Sequence, residues 1–574
     1  MTRLARRLSR PGSVASSLLD ALTRWARMPP VQATPTTRRF VVVQICGCSY
    51  EVVREAIARR HMPALARLLR RGALDLHSVP SGLPTSTPAF QAGLMYGGPV
   101  DVPGFEFLDK RTGTYRWFPR PWDAAAVEAA HSRPGEGIVR GGRTYGCVFG
   151  GGADDTVLTF AHLLRPHAFW GRVGFRALVV PCLVLAWLVA KMTVATLREL
   201  LGWFGRALRN FTVGRRVASF GQMVTRLLVG GWLRELLTLG VTVDLYAGVP
   251  ALYVNFVDYD VAAHALGPRH RRAFRALRGI DASIGRLARV LDRVPEHGYD
   301  LFVLSDHGQI DSVPFRAVAG EVSVAETILD CLQAERGNPA GAARPDAPAV
   351  PWSPPQPGVD PPMPLWPFTA RWQRNLALVE QPVRERNAVW VRGLCIVPAG
   401  PNVNVYLIHT PARVLTEEIE TRYPGGLARL SRHPAIGFVL ARDARGPVCY
   451  YRGHVHRIPP PSGKTGCPVF DRPDREIVVR GLQDLLGMPS SGDVILYGHY
   501  ANAGCVNFLN ERGSHAGPSE AELYAFVAAP PRIPFDFRGV TRARDLHPLF
   551  ASYHAKVPNP PGSPSASQSG ASGG

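Results

Sequence analysis

Ala251-Leu-Tyr-Val-Asn-Phe-Val-Asp-Tyr-Asp260-Val-Ala-Ala-His264 joins a largely apolar run, residues 251–257, to a carboxylate and an imidazole four residues apart. A short apolar run rich in β-branched and aromatic residues reads as a buried strand. The four-residue gap between Asp260 and His264 suits one divalent metal, and Gly267-Pro268 closes the unit. A second stretch is built alike: Leu301-Phe-Val-Leu-Ser305-Asp306-His307-Gly308. Adjacent Asp and His at a strand end have little packing reason to be there. Two such units in one chain point to two metal ions side by side, a standard device of phosphoryl chemistry.

Outward from these units, strands and helices alternate. Arg38–Ile45 (RRFVVVQI) reads as a buried parallel strand ending at Cys46-Gly47. A helical region over residues 50–71 follows, broken by Pro63. Pro84-Thr-Ser-Thr87-Pro88 then opens a small-residue helix, Ala89–Leu94; Pro88 at the first helical position makes Thr87 the expected N-cap. Beyond the strand at 251–257 come a helix over 268–292 with an arginine-rich outer face and a strand at 300–304. Further strands are expected near 403–408, 436–441, 447–451, 493–497 and 504–509. The pattern predicts an α/β fold with a doubly wound, mostly parallel sheet. In such sheets ligands bind past the carboxyl ends of the strands. Cys46, Thr87, Asp258, Asp260, His264, Asp306 and His307 all fall there, with His515 in Gly513-Ser-His515-Ala-Gly517 as a late addition.

The 574 residues exceed the usual single-domain size. The expected division is a basic arm (1–37), three core segments (38–164, 241–338, 371–552), a helical cap or membrane-associated insertion (165–240), a proline-rich linker (339–370) and a disordered tail (553–574). The net charge is +21, and all but four of the 66 basic residues are arginine. These arginines are scattered and no nucleic-acid motif accompanies them, so nucleic acid is not the expected partner; an anionic membrane surface fits better. Residues 177–190 carry no charge, and the stretch after them mixes Trp203, Phe204 and Trp232 with arginines, the pattern of an interfacial amphipathic hairpin. Leu18, Leu19, Leu22 and Trp25 could form one face of a short amphipathic helix. Nine widely spaced cysteines form no disulfide framework, and residues 1–30 contain no signal-peptide core. The expected location is the cytoplasm or the cytoplasmic side of a membrane. Oligomeric state is not legible.

In order and spacing, Ile45-Cys46-Gly47, Pro84-Thr85-Ser86-Thr87, Asp260–Pro268, Ser305–Gly308 and His515 resemble the alkaline phosphatase superfamily, specifically its type I phosphodiesterase/nucleotide pyrophosphatase branch. The resemblance implies that Asp260, His264 and His515 hold one metal. It implies that Asp306, His307 and the Cys46 position hold the other, with zinc the expected ion at both. Thr87 would be the nucleophile, passing through a phosphothreonine intermediate to cleave a phosphodiester; the membrane-surface reading makes a lipid-linked one the expected substrate. Three positions depart from the family. Cys46 stands where the family has aspartate, Ala263 where it has glycine, and Gly104-Phe-Glu106-Phe where nucleotide-cleaving members have an asparagine. Nucleotide specificity is therefore not expected. Two alternatives stay open: a phospho-group transferase of the same superfamily, and a catalytically impaired membrane-associated binding protein in which Cys46 marks the loss. Ser462-Gly-Lys464-Thr465 is no phosphate loop, since Ile458 occupies the position of its first glycine. Arg452, His454 and His456 read as a solvated strand face.

Overall fold

A computed structural model describes residues 38–133, 136–163, 228–333 and 388–554, together with residues 193, 197, 200, 201 and 204. The basic arm, most of the expected cap, the proline-rich linker and the tail beyond His554 lie outside the described residues.

The strand Arg39–Ile45 sits at the centre of a seven-stranded sheet. It pairs in parallel with Ala251–Phe256 on one side and Tyr299–Leu304 on the other, so that Val43 lies level with both Val254 and Val303. Helices cover both faces, which is why its sequence is apolar throughout instead of alternating. Phe40 and Val42 pack with Phe90, Leu94 and Phe550 on one face. Val41, Val43 and Ile45 pack with Val53, Leu65, Leu277 and Ile284 on the other. The expected break at Pro63 divides the first helical region into Tyr50–Ala58 and Pro63–Arg70. Helix Arg271–Leu291 turns Phe274, Leu277, Ile284 and Leu287 inward and most of its arginines outward. Asp281 also faces inward, where its carboxylate accepts from Ala64 N (2.8 Å) and Leu65 N (2.9 Å). It thereby caps the start of helix Pro63–Arg70, whose own N-cap, Met62, has no side chain able to do so.

The first sheet is mixed, with four of its six pairings parallel and two antiparallel. Tyr524–Ala529 runs antiparallel to Tyr299–Leu304, and Asp75–Pro80 antiparallel to Tyr524–Ala529 in turn. The later expected strands do not extend that sheet. Four of them, found at Asn402–Leu407, Phe438–Asp443, Gly446–Tyr451 and Val494–Tyr497, belong to a second, wholly antiparallel seven-stranded sheet. The fifth shrinks to Val506–Asn507, which pairs with Val313–Pro314. Length and apolar content identify a strand, but pairing direction depends on which partner covers it, and no local pattern encodes that.

The second sheet bears on the site through its exit. After Val494–Tyr497 the chain crosses to the first sheet's strand ends, where Gly513–Ser514 pairs with Ile310–Asp311. This crossing delivers His515 beside residues more than two hundred positions earlier. Among the described residues no helix is long and apolar enough to cross a membrane.

Candidate active site

The expected residues reach the site from several elements. Cys46 extends the central strand by one residue, its N–H donating to Phe256 O (3.0 Å). Gly47 then turns with φ +74°, and a Cβ there would lie 2.4 Å from Asp260 Oδ1; only glycine allows this approach. Asp260 and His264 lie one turn apart on helix Asp258–Leu266, hence on one face, with Nε2 and Oδ2 3.5 Å apart. Asp258 does not join them; it is paired with Arg234. Asp306 and His307 leave the end of strand Tyr299–Leu304 fully buried.

Thr87 is the first residue of helix Thr87–Tyr96, and Ser86, not Thr87, occupies the N-cap position. The correction matters chemically, because the Thr87 hydroxyl is left free to point into the site. Its Oγ1 donates to Asp306 Oδ2 (2.7 Å) and lies 3.2 Å from Cys46 Sγ and 3.3 Å from His307 Nε2. The Cys46 thiol also donates to Asp306 Oδ2 at 3.4 Å. Asp306 is bonded on both oxygens, accepting from Gln44 Nε2 (2.8 Å) and from Gly47 N and His307 N (each 3.1 Å).

Ligand-type atoms gather in two groups that share Asp260: Cys46, Asp260 and His307, and Asp260, His264 and His515, each within 4.8 Å of one another. The second group is the more open. His515 stacks on His307 (ring centroids 3.9 Å) and meets His264 edge-on at 4.9 Å. Its Nδ1 bonds Thr85 O (2.7 Å), while His264 Nδ1 bonds Glu511 Oε2 (3.0 Å), leaving both Nε2 atoms toward Asp260. Outer bonds of this kind fix which imidazole nitrogen faces a metal. The mixture of nitrogen, oxygen and sulfur donors fits a pair of divalent ions of the zinc type.

Electrostatics follow from this crowding. Burial pushes the Asp260 carboxyl up, but His264, His515 and His307 outweigh it and hold the group well below its usual range. Burial, with Asp260 and Asp306 close by, pushes the Cys46 thiol far up. Burial, His307 and His264 together press His515 down, favouring the neutral, metal-binding imidazole.

Sequence reading missed Gln44, Gln309 and Glu511. Gln44 is held by Gln91 Nε2 (3.1 Å) and the Tyr253 hydroxyl (2.7 Å), and Gln309 donates to Asp260. Gln44 had one local signal, a lone amide inside an apolar strand; the others had none. Arg452, His454 and His456 lie apart from this cluster, on and beside the edge strand His454–Arg457 of the second sheet.

Asp, His, Cys and Thr thus converge past the strand ends of an α/β fold, as the resemblance to the alkaline phosphatase superfamily leads one to expect. Residues 216–353 match the model of the type I phosphodiesterase/nucleotide pyrophosphatase family. Two solved structures align with the chain. Phosphonoacetate hydrolase from Sinorhizobium meliloti 1021 in complex with phosphonoformate aligns at TM-score 0.44 and 16% identity, over 92% of this chain and 100% of that one. The same hydrolase in complex with phosphonoacetate aligns at TM-score 0.42 and 16% identity, with equal coverage. No curated protein matches the chain.

Proposed function

We propose that this protein is a two-metal phosphohydrolase, most specifically a phosphodiesterase, with Thr87 as nucleophile. The observation that carries the reading is the Thr87 hydroxyl, at a helix N-terminus, donating to Asp306 and touching Cys46 and His307 of one group of metal-ligand atoms. Asp260, His264 and His515 would hold one ion, and Cys46, Asp306 and His307 the other. When bound, such ions supply Lewis acidity to the phosphoryl oxygens and lower the pKa of a coordinated hydroxyl.

The protein's own residues account for the remaining steps. Asp306, already accepting the Thr87 proton at 2.7 Å, orients the hydroxyl. The positive end of helix Thr87–Tyr96 favours the oxyanion that forms there. Thr87 Oγ1 then forms a bond to phosphorus as the ester's alcohol leaves, and water later cleaves the phosphothreonine, returning Thr87 and releasing a phosphomonoester. Substrate would enter on the side of His264 and His515, because Asp306 and His307 are closed off.

Zinc is the metal this reading favours. A thiolate at Cys46 is a good zinc ligand and a poor one for magnesium or manganese. A lipid-linked phosphodiester is the favoured substrate class. Its support is the exposed stripe Leu197, Leu201 and Phe204 at helical spacing, with Trp232 and Leu236 also exposed, in a segment (165–240) whose only acidic residues are Glu199 and Glu235.

The test is metal content and hydrolysis of a bis-aryl phosphate by the native protein and by Thr87→Ala. Two zinc ions per chain and a loss of about three orders of magnitude or more in kcat for Thr87→Ala support the enzyme. Cys46 favours a second reading, a binding protein that has lost turnover; an inert native chain that gains activity as Cys46→Asp would establish it.

A further inference from the structure

His499 and Glu522 are both buried, and neither belongs to a motif that points to the site. His499 Nε2 and Glu522 Oε2 are 2.6 Å apart. Burying such a pair costs desolvation that two apolar side chains would not incur, and it is tolerated when the remaining valences are satisfied. Those of Glu522 are used here to join loops. Glu522 Oε1 accepts from Gly517 N (3.0 Å), its other oxygen accepts from the Ser519 hydroxyl, and its backbone carbonyl accepts from Gly308 N (2.8 Å). One residue thus holds the loop after His515 and the loop after His307.

The connection continues to His515 itself. Gly517 O accepts from Thr85 Oγ1 (3.2 Å), which accepts from Ala516 N (2.9 Å). The backbone carbonyl of Thr85 accepts from His515 Nδ1 at 2.7 Å. The His499 ring lies flush against Gly517, where a Cβ would come within 1.9 Å of Cε1. The loop is therefore held at Gly517 by both the ring and the Glu522 carboxylate.

We propose that His499 and Glu522 are positioning residues for the metal site formed by Asp260, His264 and His515, setting the His515 imidazole through Gly517 and Thr85. The metal-binding part of this inference rests on the two-metal reading above. Outer partners that orient a metal-ligating histidine are typically worth about 10–100-fold in metal affinity.

The experiment compares the native chain with Glu522→Ala, Glu522→Gln and Gly517→Ala. Three quantities are measured: zinc affinity by chelator competition, the rate of His515 carbethoxylation by mass spectrometry with and without zinc, and kcat and KM on a bis-aryl phosphate. Glu522→Ala should weaken one of two zinc ions by about 10–100-fold, speed labelling of His515 and lower kcat more than it raises KM. Glu522→Gln keeps a carbonyl acceptor for Gly517 N and should recover most of each. Unchanged zinc affinity and His515 labelling in Glu522→Ala, with only a lower Tm, would overturn the proposal. Should Glu522→Ala not fold, Gly517→Ala decides, since its methyl displaces the same loop; native labelling in that variant also overturns it. The labelling without zinc judges the positioning role even if the native chain proves to hydrolyse nothing.

Discussion

Cys46 is the residue on which the chemistry of this site turns. It offers a soft sulfur donor in contact with both Thr87 and Asp306. Its thiol is pushed far up by burial and by two neighbouring carboxylates, so metal binding must displace a tightly held proton. Zinc can do this, whereas magnesium and manganese bind thiolates weakly. We therefore expect Cys46→Asp to shift the metal preference from zinc toward manganese by about tenfold or more, read by competition under metal analysis. Equal preference in the two proteins would remove Cys46 from the metal's coordination. At Thr87 the expectation is sharper still. Thr87→Ser, which keeps a hydroxyl at the helix start, should retain measurable turnover where Thr87→Ala retains none above background.

At the scale of elements, the site depends on helices that hold each other's ends. Helix Pro63–Arg70 has no local cap and takes one from Asp281, more than two hundred residues later on helix Arg271–Leu291. Asp281→Ala should cost about 0.5–2 kcal/mol of stability, the usual worth of a helix cap, without changing metal content. Urea unfolding beside metal analysis checks both halves. Leu277, fully buried on the same helix, should cost more: Leu277→Ala is expected to lose about 2–5 kcal/mol.

For the whole molecule, two expectations concern conditions more than single contacts. Burial pushes the His499 imidazole down, but Cys505 and Glu522 outweigh it and hold the group at about 10. The folded state thus keeps this proton to a higher pH than the unfolded chain, whose value is the ordinary 6.5. The resulting stability is complete below about pH 6.5 and is lost as pH rises through 10. Between pH 7 and 10 the native protein should lose stability more steeply than His499→Gln, measured by urea midpoint. The second expectation is binding to vesicles rich in anionic lipid and not to neutral ones, reduced by Leu201→Asp or Phe204→Asp and by salt. Equal sedimentation with and without vesicles would rule that surface out.

The sequence by itself determined the strands and helices that carry the motifs, because runs such as Arg39–Ile45 and Leu301–Leu304 are apolar for a local reason: both their faces are covered. It also marked Cys46, Thr87, Asp260, His264, Asp306, His307 and His515 by their order and spacing past strand and helix ends. Only the tertiary structure decided that these seven come together and that Thr87 bonds Asp306 instead of capping its helix. Only it revealed the second antiparallel sheet and the partners Gln44, Gln309, Glu511, His499 and Glu522. The physical reason is range: hydrophobic periodicity is written within a few residues, whereas pairing direction and hydrogen bonds such as Thr85 to His515 span hundreds, set by which surfaces the folded chain brings into contact.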